Sequence, residues 1–288
     1  MIYLLLSILC SVSVGVLLKL TKDKGTNIFQ LVSVNYLVAL LLCYLLFPID
    51  LSAIPSDLPW LVLIPLSLLL PTIFVVLFHA VNLVGIVKTD IAQRLSLVIP
   101  ILAAISIFGE QISTLKYVGL GFGLLAIYFT LSKRETAEVS HKNAGLFPLL
   151  VFIGFGVIDV LFKQIALYTA LPYTTSLFFV FVLALVVSLL INAYRMLVKS
   201  DVLSVKNLYF GIPLGLLNFS NIYFYLKAHR LFADNPTTVF AMMNFGVILL
   251  GTLIGVLFFK ERLSRKNIWG LGMAIAAISL IATAQYLT

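Results

Sequence analysis

The sequence predicts an all-α polytopic membrane protein with ten transmembrane helices. Of its 288 residues, 62% are hydrophobic and 10% are charged, whereas soluble domains are about 45–50% apolar and about 25% charged. The mean hydropathy is +1.14. Crossing the hydrocarbon core takes about 20 apolar residues per helix, so ten helices use about 200 residues and leave room only for short connections.

Several other classes of protein are excluded by the same composition. The formal charge of +8 does not indicate a nucleic-acid partner, because the basic residues are spread over loops and do not cluster on one soluble face. The apolar stretches are continuous, unlike the alternating strands of a β-barrel. Cys10 and Cys43 lie in apolar stretches without a CxxC motif, so no disulfide framework, metal site or cofactor is predicted. The stretch from Ile2 lacks a basic n-region and a cleavage site, and we expect a retained helix.

The helices are predicted from apolar windows separated by charged residues, proline or glycine. The predicted ranges are 2–20, 28–47, 59–80, 89–108, 114–132, 146–168, 174–195, 208–228, 236–259 and 267–286. Asn235 and Pro236 are typical of the start of a helix. The longest polar stretch divides the chain into a first five-helix unit at 1–132, a polar linker at 133–145 and a second five-helix unit at 146–288.

Two sequence echoes indicate that the five-helix unit is duplicated. Residues 108–121 read FGEQISTLKYVGLG and residues 259–272 read FKERLSRKNIWGLG. At a constant offset of 151, the repeated residues include Glu110, Ser113 and Gly119 in the first copy. Their counterparts in the second copy are Glu261, Ser264 and Gly270. A weaker echo, at an offset of 144, pairs VLLK ending at Lys19 with VLFK ending at Lys163.

An odd number of helices per unit predicts that the two units are inverted relative to each other in the membrane. The basic residues test this topology because positively charged loops remain in the cytoplasm. Loops after odd-numbered helices contain Lys22, Lys24, Lys88, Lys133, Arg134, Lys142, Arg195, Lys199, Lys206, Lys260, Arg262, Arg265 and Lys266. Loops after even-numbered helices contain Lys116, Lys227 and Arg230. We therefore expect the odd-numbered loops in the cytoplasm and both termini outside.

These features resemble the drug/metabolite transporter superfamily, and in particular its ten-helix EamA-like branch. The resemblance covers essentially the whole chain. It is carried by the Glu-x-Ile/Leu-Ser turn and the glycine-rich helix that follows, at Glu110–Gly123 and Glu261–Gly272, and by Lys19 and Lys163. One departure is that Gly109 of the first copy is Lys260 in the second. The resemblance implies a carrier of small metabolites, sugars, nucleotide-sugars or lipids, without specifying which.

Inverted repeats place a substrate site near the membrane midplane, between the repeats. In helix 8, Asn218, Asn221 and Tyr225 share one face because they are spaced i, i+3 and i+7. Asn244 in helix 9, and Asn35 with Tyr36 in helix 2, are the other uncharged polar candidates for this site. The alternative interpretation is that the amides hydrogen-bond between helices and stabilise their packing.

Charged residues inside the predicted helices are a second set of candidates. Asp90 and Arg94 are spaced for an intrahelical ion pair, and Arg94 contacts either the substrate or the membrane interface. Asp159 and Lys163 have the same spacing, which favours a mutually neutralising structural pair. Alternatively, Asp159 carries a coupling proton, because burial disfavours a charged carboxylate.

Glu110 and Glu261 are expected to be structural. Each precedes a serine, Ser113 or Ser264, that can cap the next helix, and a carboxylate is stabilised at the positive end of a helix dipole. The glycines of the motif permit close helix contact. We therefore assign the repeated residues to structure and not to catalysis.

The function expected from the sequence is secondary transport. Motifs of metalloproteases, serine hydrolases and P-loop ATPases are missing, so we expect no enzyme, and coupling would come from a proton or substrate gradient. The expected cargo is a small polar or amphipathic, amino-acid-like metabolite, exported across the cytoplasmic membrane by alternating access. One alternative is a sugar conjugate or lipid-linked headgroup, which a lateral opening would favour. The other is an intramembrane enzyme or scaffold with a non-alternating pocket or a metal.

Overall fold

A computed structural model describes residues 1–21, 24–49, 58–131, 145–260 and 263–287. Within these ranges every regular element is a helix, and the ten helices confirm the predicted fold class. Their bounds are α1 (Ile2–Thr21), α2 (Ile28–Leu46), α3 (Trp60–Leu95), α4 (Val98–Ser106), α5 (Thr114–Leu131), α6 (Leu146–Leu167), α7 (Tyr173–Lys199), α8 (Val205–Leu231), α9 (Pro236–Phe259) and α10 (Arg265–Leu287). Glu261 and all but residue 145 of the predicted 133–145 linker lie outside the described residues.

Eight helical segments of the described chain are long and apolar enough to cross a membrane. The segment Thr114–Thr130 of α5 is apolar but shorter. Helix α8 has ample length but is more polar than the others, because it carries Asn218, Asn221 and Lys227 in its second half. The polar helix is thus the one from which the sequence predicted the largest set of substrate contacts.

The boundary predicted between the third and fourth helices is confirmed by the structure. A break was expected between residues 80 and 89, and helical geometry is interrupted within this range at Gly85, with φ 85° and ψ 165°. A positive φ is readily adopted by glycine, which has no Cβ. The fourth span is Lys88–Ser106, and it is broken again at residues 96 and 97. Pro100 lies one turn later and has no N–H with which to continue the helical hydrogen-bond ladder.

The helices of the two halves pack in matching pairs. Helix α1 packs against α8, and α6 packs against α3. Likewise, α2 packs against α8 and α7 packs against α3. The remaining large contacts are between corresponding helices, α2 with α7 and α5 with α10. Each helix of the first half therefore finds its main partner in the second half, and the core lies between the halves.

The contact between α5 and α10 is reciprocal at the level of single residues. A Cβ on Gly119 would lie 2.8 Å from Ile281 Cγ1 and 3.3 Å from the Ala277 carbonyl oxygen. A Cβ on Gly270 would lie 2.7 Å from the Thr130 backbone nitrogen and 3.1 Å from the Ala126 oxygen. The start of each helix therefore touches the end of the other, so α5 and α10 are antiparallel. Both contacts require the small residue that the repeated motif supplies.

Polar side chains join the α7–α8 connection to the start of α2. Asp201 Oδ2 accepts hydrogen bonds from Arg195 Nε at 2.7 Å and from Asn27 Nδ2 at 2.8 Å. These two donors hold the pKa of Asp201 below its usual value, Arg195 contributing most. Asn207 Nδ2 also donates to Gln30 Oε1. This network fixes one end of the bundle next to the α2–α8 contact.

Candidate functional site

A cavity of about 600 Å³ lies between the two halves. Its walls come from α1, α2, α3, α6, α8 and α9, and it runs from the middle of the bundle towards one end. At that end it is bordered by Lys19, Thr130, Phe259, Leu263 and Asn267. We call this the open end. A volume of this size is typical of sites for small molecules.

The opposite end of the bundle does not contribute to the cavity. None of the described residues of the α4–α5, α6–α7 and α8–α9 connections lines it. These connections comprise residues 107–113, 168–172 and 232–235, and we call this the closed end. Among the described residues, the cavity therefore reaches the open end and not the closed end.

Three of the four asparagines predicted for the site, Asn218, Asn221 and Asn244, line the cavity. Asn218 is 8% exposed and Asn244 is 9% exposed. Asn221 accepts a hydrogen bond at Oδ1 from the Ser7 hydroxyl, at 2.7 Å. Asn244 donates from Nδ2 to the Phe240 carbonyl of its own helix, at 3.1 Å. Each of the two bonded amides therefore keeps one polar group that makes no hydrogen bond to the described residues.

The two candidates of α2 are separated by the structure. Tyr36 lines the cavity, is completely buried, and its hydroxyl has no hydrogen-bond partner in the described chain. Asn35 is also completely buried but does not line the cavity. Its backbone oxygen faces Gly215 in the α2–α8 contact. The structure therefore places Tyr36, and not Asn35, at the site, since adjacent helical residues point in different directions.

Asp159 is one of two acidic residues that line the cavity, the other being Asp90. Asp159 Oδ1 accepts a hydrogen bond from the Tyr225 hydroxyl at 2.8 Å, and both residues line the cavity. The charge of Arg94 also acts on this carboxyl. The expected pairing of Asp159 with Lys163 is wrong. The two side chains do share a helix, but each is bound by groups of other elements.

Arg94 forms the predicted ion pair with Asp90, with 3.4 Å between Nε and Oδ1. Both residues line the cavity, together with Gln93 of the same helical turn. The Arg94 side chain is 17% exposed, and its Nε is buried without a hydrogen bond in the described chain. The cavity therefore holds a guanidinium group and its carboxylate partner on α3, and a second carboxylate on α6.

Lys163 lies outside the cavity, towards the closed end, and is completely buried. Its Nζ donates to the carbonyl oxygens of His229 and Phe232 at 3.3 Å and of Ala233 at 2.7 Å. These carbonyls lie at the C-terminal end of α8 and directly after it. A positive charge is favoured there by the helix dipole. Lys163 thus binds the partially negative C-terminal end of α8 and does not pair with the Asp159 carboxylate.

Glu110 lies at the start of a helix, but this is not the helix expected from the sequence. Its Oε2 accepts a hydrogen bond from the backbone nitrogen of Thr237 at 2.7 Å, in the first turn of α9. Its Oε1 accepts from Lys116 Nζ at 3.0 Å. The carboxylate therefore joins the α4–α5 connection of the first half to the start of α9 in the second half. Sequence spacing alone could not reveal this contact, because it joins residues 127 apart.

The two serines of the repeated motif cap the helices that follow them. Ser113 Oγ accepts from the Lys116 backbone nitrogen at 3.4 Å. Ser264 Oγ accepts from the Asn267 backbone nitrogen at 3.2 Å. These serine caps are the part of the motif that acts within one repeat, whereas the glycines act between repeats.

Several residues of the cavity wall were not singled out from the sequence. Thr130 is 7% exposed, and its hydroxyl has no hydrogen-bond partner among the described residues. Thr252 and Asn267 also line the cavity near the open end. Their positions in helices predicted to be apolar were the only signal available. No group of three or more His, Cys, Asp or Glu that could hold a metal occurs in the described ranges.

The fold defines a class of protein, a polytopic helical membrane protein, and comparison with known proteins gives the family. The sequence model of the EamA-like transporter family matches residues 1–132. A full-length relative from Haemophilus influenzae (strain Rd), called an uncharacterized protein, is 40% identical over 284 residues, covering 96% of this chain and 95% of that protein. Over residues 1–132 the chain therefore belongs to the EamA-like transporter family, within the drug/metabolite transporter superfamily.

A solved crystal structure has the same fold. It superposes with a TM-score of 0.76 and covers 99% of this chain and 97% of that chain, at 15% sequence identity. At this level of identity the similarity describes the arrangement of helices and carries no information about the substrate.

Proposed function

We propose that the protein is a secondary transporter that exports a small amphipathic solute across the cytoplasmic membrane by alternating access. The observation that carries this proposal is the cavity between the halves, which reaches the middle of the bundle and is closed at one end. Polar and charged side chains inside membrane helices are costly and commonly mark a substrate pathway. Here they converge on this cavity from α3, α6, α8 and α9.

The charges of the cavity favour a zwitterionic, amino-acid-like solute. Arg94 can bind a carboxylate, and Asp159 can bind an ammonium group, since charge-assisted hydrogen bonds are the stronger ones. Asn218, Asn221 and Asn244 supply further donors and acceptors. The remaining wall is largely apolar, with Phe74, Phe155, Phe162 and Met243 among its residues. This lining suits a solute with one charged end and one apolar end.

Export is proposed from the distribution of basic residues. The open end lies beside the α9–α10 connection, which is rich in Lys and Arg and is expected in the cytoplasm. The closed end holds the connections after α4, α6 and α8, which carry few basic residues. In this orientation the cavity opens to the cytoplasm and is ready to receive a solute made inside the cell.

Inverted repeats are part of the same proposal. The reciprocal contacts of Gly119 and Gly270 support a twofold axis. Under such an axis, when a residue of one half contacts a residue of the other half, the repeat counterparts of both residues are also in contact. The antiparallel directions of α5 and α10 support an axis perpendicular to the helices, and hence in the membrane plane. Such repeats alternate access by rocking around a fixed central site.

The experiment that tests the function is uptake into liposomes containing the purified protein. A panel of radiolabelled solutes would include zwitterionic amino acids, organic cations, sugars and sugar conjugates, each with and without a pH gradient. We expect saturable transport of a zwitterionic solute, and acceleration by the pH gradient if Asp159 couples a proton. Transport of a lipid-linked or sugar substrate alone would contradict the proposed substrate class.

The Asp159→Asn variant tests the role of the carboxylate within the same assay. The amide keeps an acceptor for the Tyr225 hydroxyl but loses the charge. Loss of one charge-assisted bond of about 1.5–3 kcal/mol corresponds to about 10- to 150-fold in affinity. Asp201→Asn is the matched control, since Asp201 lies in a connection outside the cavity. Equal transport by wild type and Asp159→Asn would remove Asp159 from the site.

A further inference from the structure

Four residues at the closed end form a polar contact between the two halves, which we call the closed-end network: Glu110, Lys116, Asn235 and Thr237. Lys116 Nζ donates to Glu110 Oε1 at 3.0 Å and to Asn235 Oδ1 at 2.5 Å. Glu110 Oε2 accepts from the Thr237 backbone nitrogen at 2.7 Å. Two of these residues belong to the first half and two to the second.

The charged members of the network are withdrawn from water. The Glu110 and Lys116 side chains are each 1% exposed. A buried ion pair adds little to stability compared with apolar residues of similar size, because removing both charges from water is costly. Such a pair is most useful where it specifies one arrangement of the chain over another. The ion pair lies in the contact between the two halves at the closed end. Its location indicates that it specifies the arrangement in which the two halves meet at this end.

A second lysine supports the same end from within the second half. Lys163 binds the carbonyls of His229, Phe232 and Ala233, immediately before Asn235. It therefore holds the α8–α9 connection in the position at which Asn235 meets Lys116. Lys163 Nζ also lies 6.0 Å from the centroid of the Phe108 ring. The repeat counterpart of this pair is Lys19 with Phe259, 3.9 Å apart, at the open end.

We propose that the closed-end network is the gate of this end of the transporter. The contacts of Glu110 and Lys116 with Asn235 and Thr237 hold while the cavity is open at the other end. They separate when the cavity opens here, because the start of α9 then moves away from the α4–α5 connection. This inference rests on the alternating access proposed above. The competing interpretation is that the network permanently fixes α9 in place. A gate predicts that loss of the network changes both ends of the bundle together, whereas a permanent attachment predicts a change at the closed end alone.

The test measures the reactivity of single cysteines at both ends in detergent-solubilised protein. The background is Cys10→Ala with Cys43→Ser, which removes the native thiols. The closed-end reporter is Thr237→Cys, since Thr237 is completely buried, its hydroxyl has no partner in the described chain, and the substitution keeps its backbone N–H. The open-end reporter is Thr252→Cys, in the cavity wall. Each reporter is combined with Lys116→Met and with the double variant Glu110→Gln, Lys116→Met.

The double variant keeps the size of both side chains and leaves no buried charge unpaired, so it carries the test if Lys116→Met alone does not fold. N-ethylmaleimide modification would be followed by mass spectrometry. We expect the Thr237→Cys reporter to react about tenfold faster or more when the ion pair is removed, since one charge-assisted hydrogen bond corresponds to about tenfold in an equilibrium constant. The Thr252→Cys reporter should react more slowly in the same variants, because opening one end closes the other.

Two results would overturn the gate. The first is an unchanged rate at Thr237→Cys in the double variant. The second is a faster rate at Thr237→Cys with an unchanged rate at Thr252→Cys, which is the behaviour of a static fastening that has loosened locally. Neither readout requires the substrate, so failure of the gate is distinguished from failure of the transport assay.

Discussion

Two amide side chains of the cavity are held in ways that leave part of each group without a hydrogen bond to the described residues. Asn221 uses its oxygen for Ser7 and keeps its NH2 group, whereas Asn244 uses its NH2 group for Phe240 and keeps its oxygen. A donor and an acceptor from adjacent helices are thereby presented to the same cavity. This complementarity is what a site for a polar solute requires, because an unpaired polar group in a buried site is costly.

Replacing either amide tests whether it binds a solute or only joins helices. We expect Asn221→Leu and Asn244→Leu to weaken transport about 5- to 150-fold, since each lost partner costs about 1–3 kcal/mol. Expression and insertion should remain near normal, because leucine is well tolerated in lipid. Transport per folded molecule and thermal unfolding would be measured on the same purified variants.

Asn192 provides the matched control. Its Nδ2 donates to the Phe29 carbonyl, the Ser33 hydroxyl and the Ser188 carbonyl, and it does not line the cavity. Asn192→Leu should therefore lower the unfolding temperature while preserving transport per folded molecule. If the cavity variants show this same pattern, their amides are packing contacts and the site assignment fails.

Asp201 predicts a pH dependence of stability. Because hydrogen bonds from Arg195 and Asn27 lower its pKa in the folded protein, the native state favours the carboxylate more than the unfolded state does. The resulting stabilisation is present above the ordinary pKa of 3.8 and is lost as the pH falls through the lowered value. In acid titrations of the unfolding temperature, Asp201→Asn should show a smaller loss than wild type below about pH 4. Parallel curves would contradict the prediction.

The close packing of α5 against α10 requires a residue without a Cβ at Gly270. The space beside Gly270 is bounded by the backbone of α5 at Thr130 and Ala126, which cannot move without displacing the whole helix. The space beside Gly272, two residues later on α10, is open. The two glycines therefore have the same sequence environment but different structural roles.

Alanine substitutions separate these roles. Gly270→Ala should destabilise the protein by about 1–3 kcal/mol, the range found for overpacked cores. Gly272→Ala should be neutral or stabilising by up to about 1 kcal/mol, because alanine favours a helix more than glycine does. Thermal unfolding in one detergent compares both variants. Equal effects would show that the contact between α5 and α10 is looser than described.

The topology of the whole bundle remains a prediction of the basic residues. In the loops predicted from the sequence and the helix ends that flank them, thirteen Lys and Arg residues follow odd-numbered helices and three follow even-numbered ones. We expect reporter fusions at Ser140 to be cytoplasmic and fusions after Thr288 to be outside. A cytoplasmic reporter at both sites would reject the odd number of crossings between them. Exchanged locations would reverse the orientation and make the closed end cytoplasmic.

Much of the architecture could be predicted because membrane helices follow from local properties. A span is specified by about 20 apolar residues, and each helix must satisfy its own backbone hydrogen bonds within the bilayer. The range 236–259 was accordingly predicted as the structure has it. The break between the third and fourth spans was expected between residues 80 and 89, and it lies there at Gly85, whose positive φ interrupts the helix.

The sequence by itself determined the fold class, the number of helices, the repeated motif and the residues too polar for a lipid-facing position. Only the tertiary structure decided which of those residues meet. Tyr225 binds Asp159, Lys163 binds the end of α8, Glu110 binds the start of α9, and Asn35 is turned away from the cavity. The physical reason is that periodicity places a side chain on a face of its own helix, whereas its partner depends on how that helix packs against others distant in sequence. The i,i+4 spacing of Asp159 and Lys163 was satisfied locally, yet stronger partners came from α8 and the connection after it.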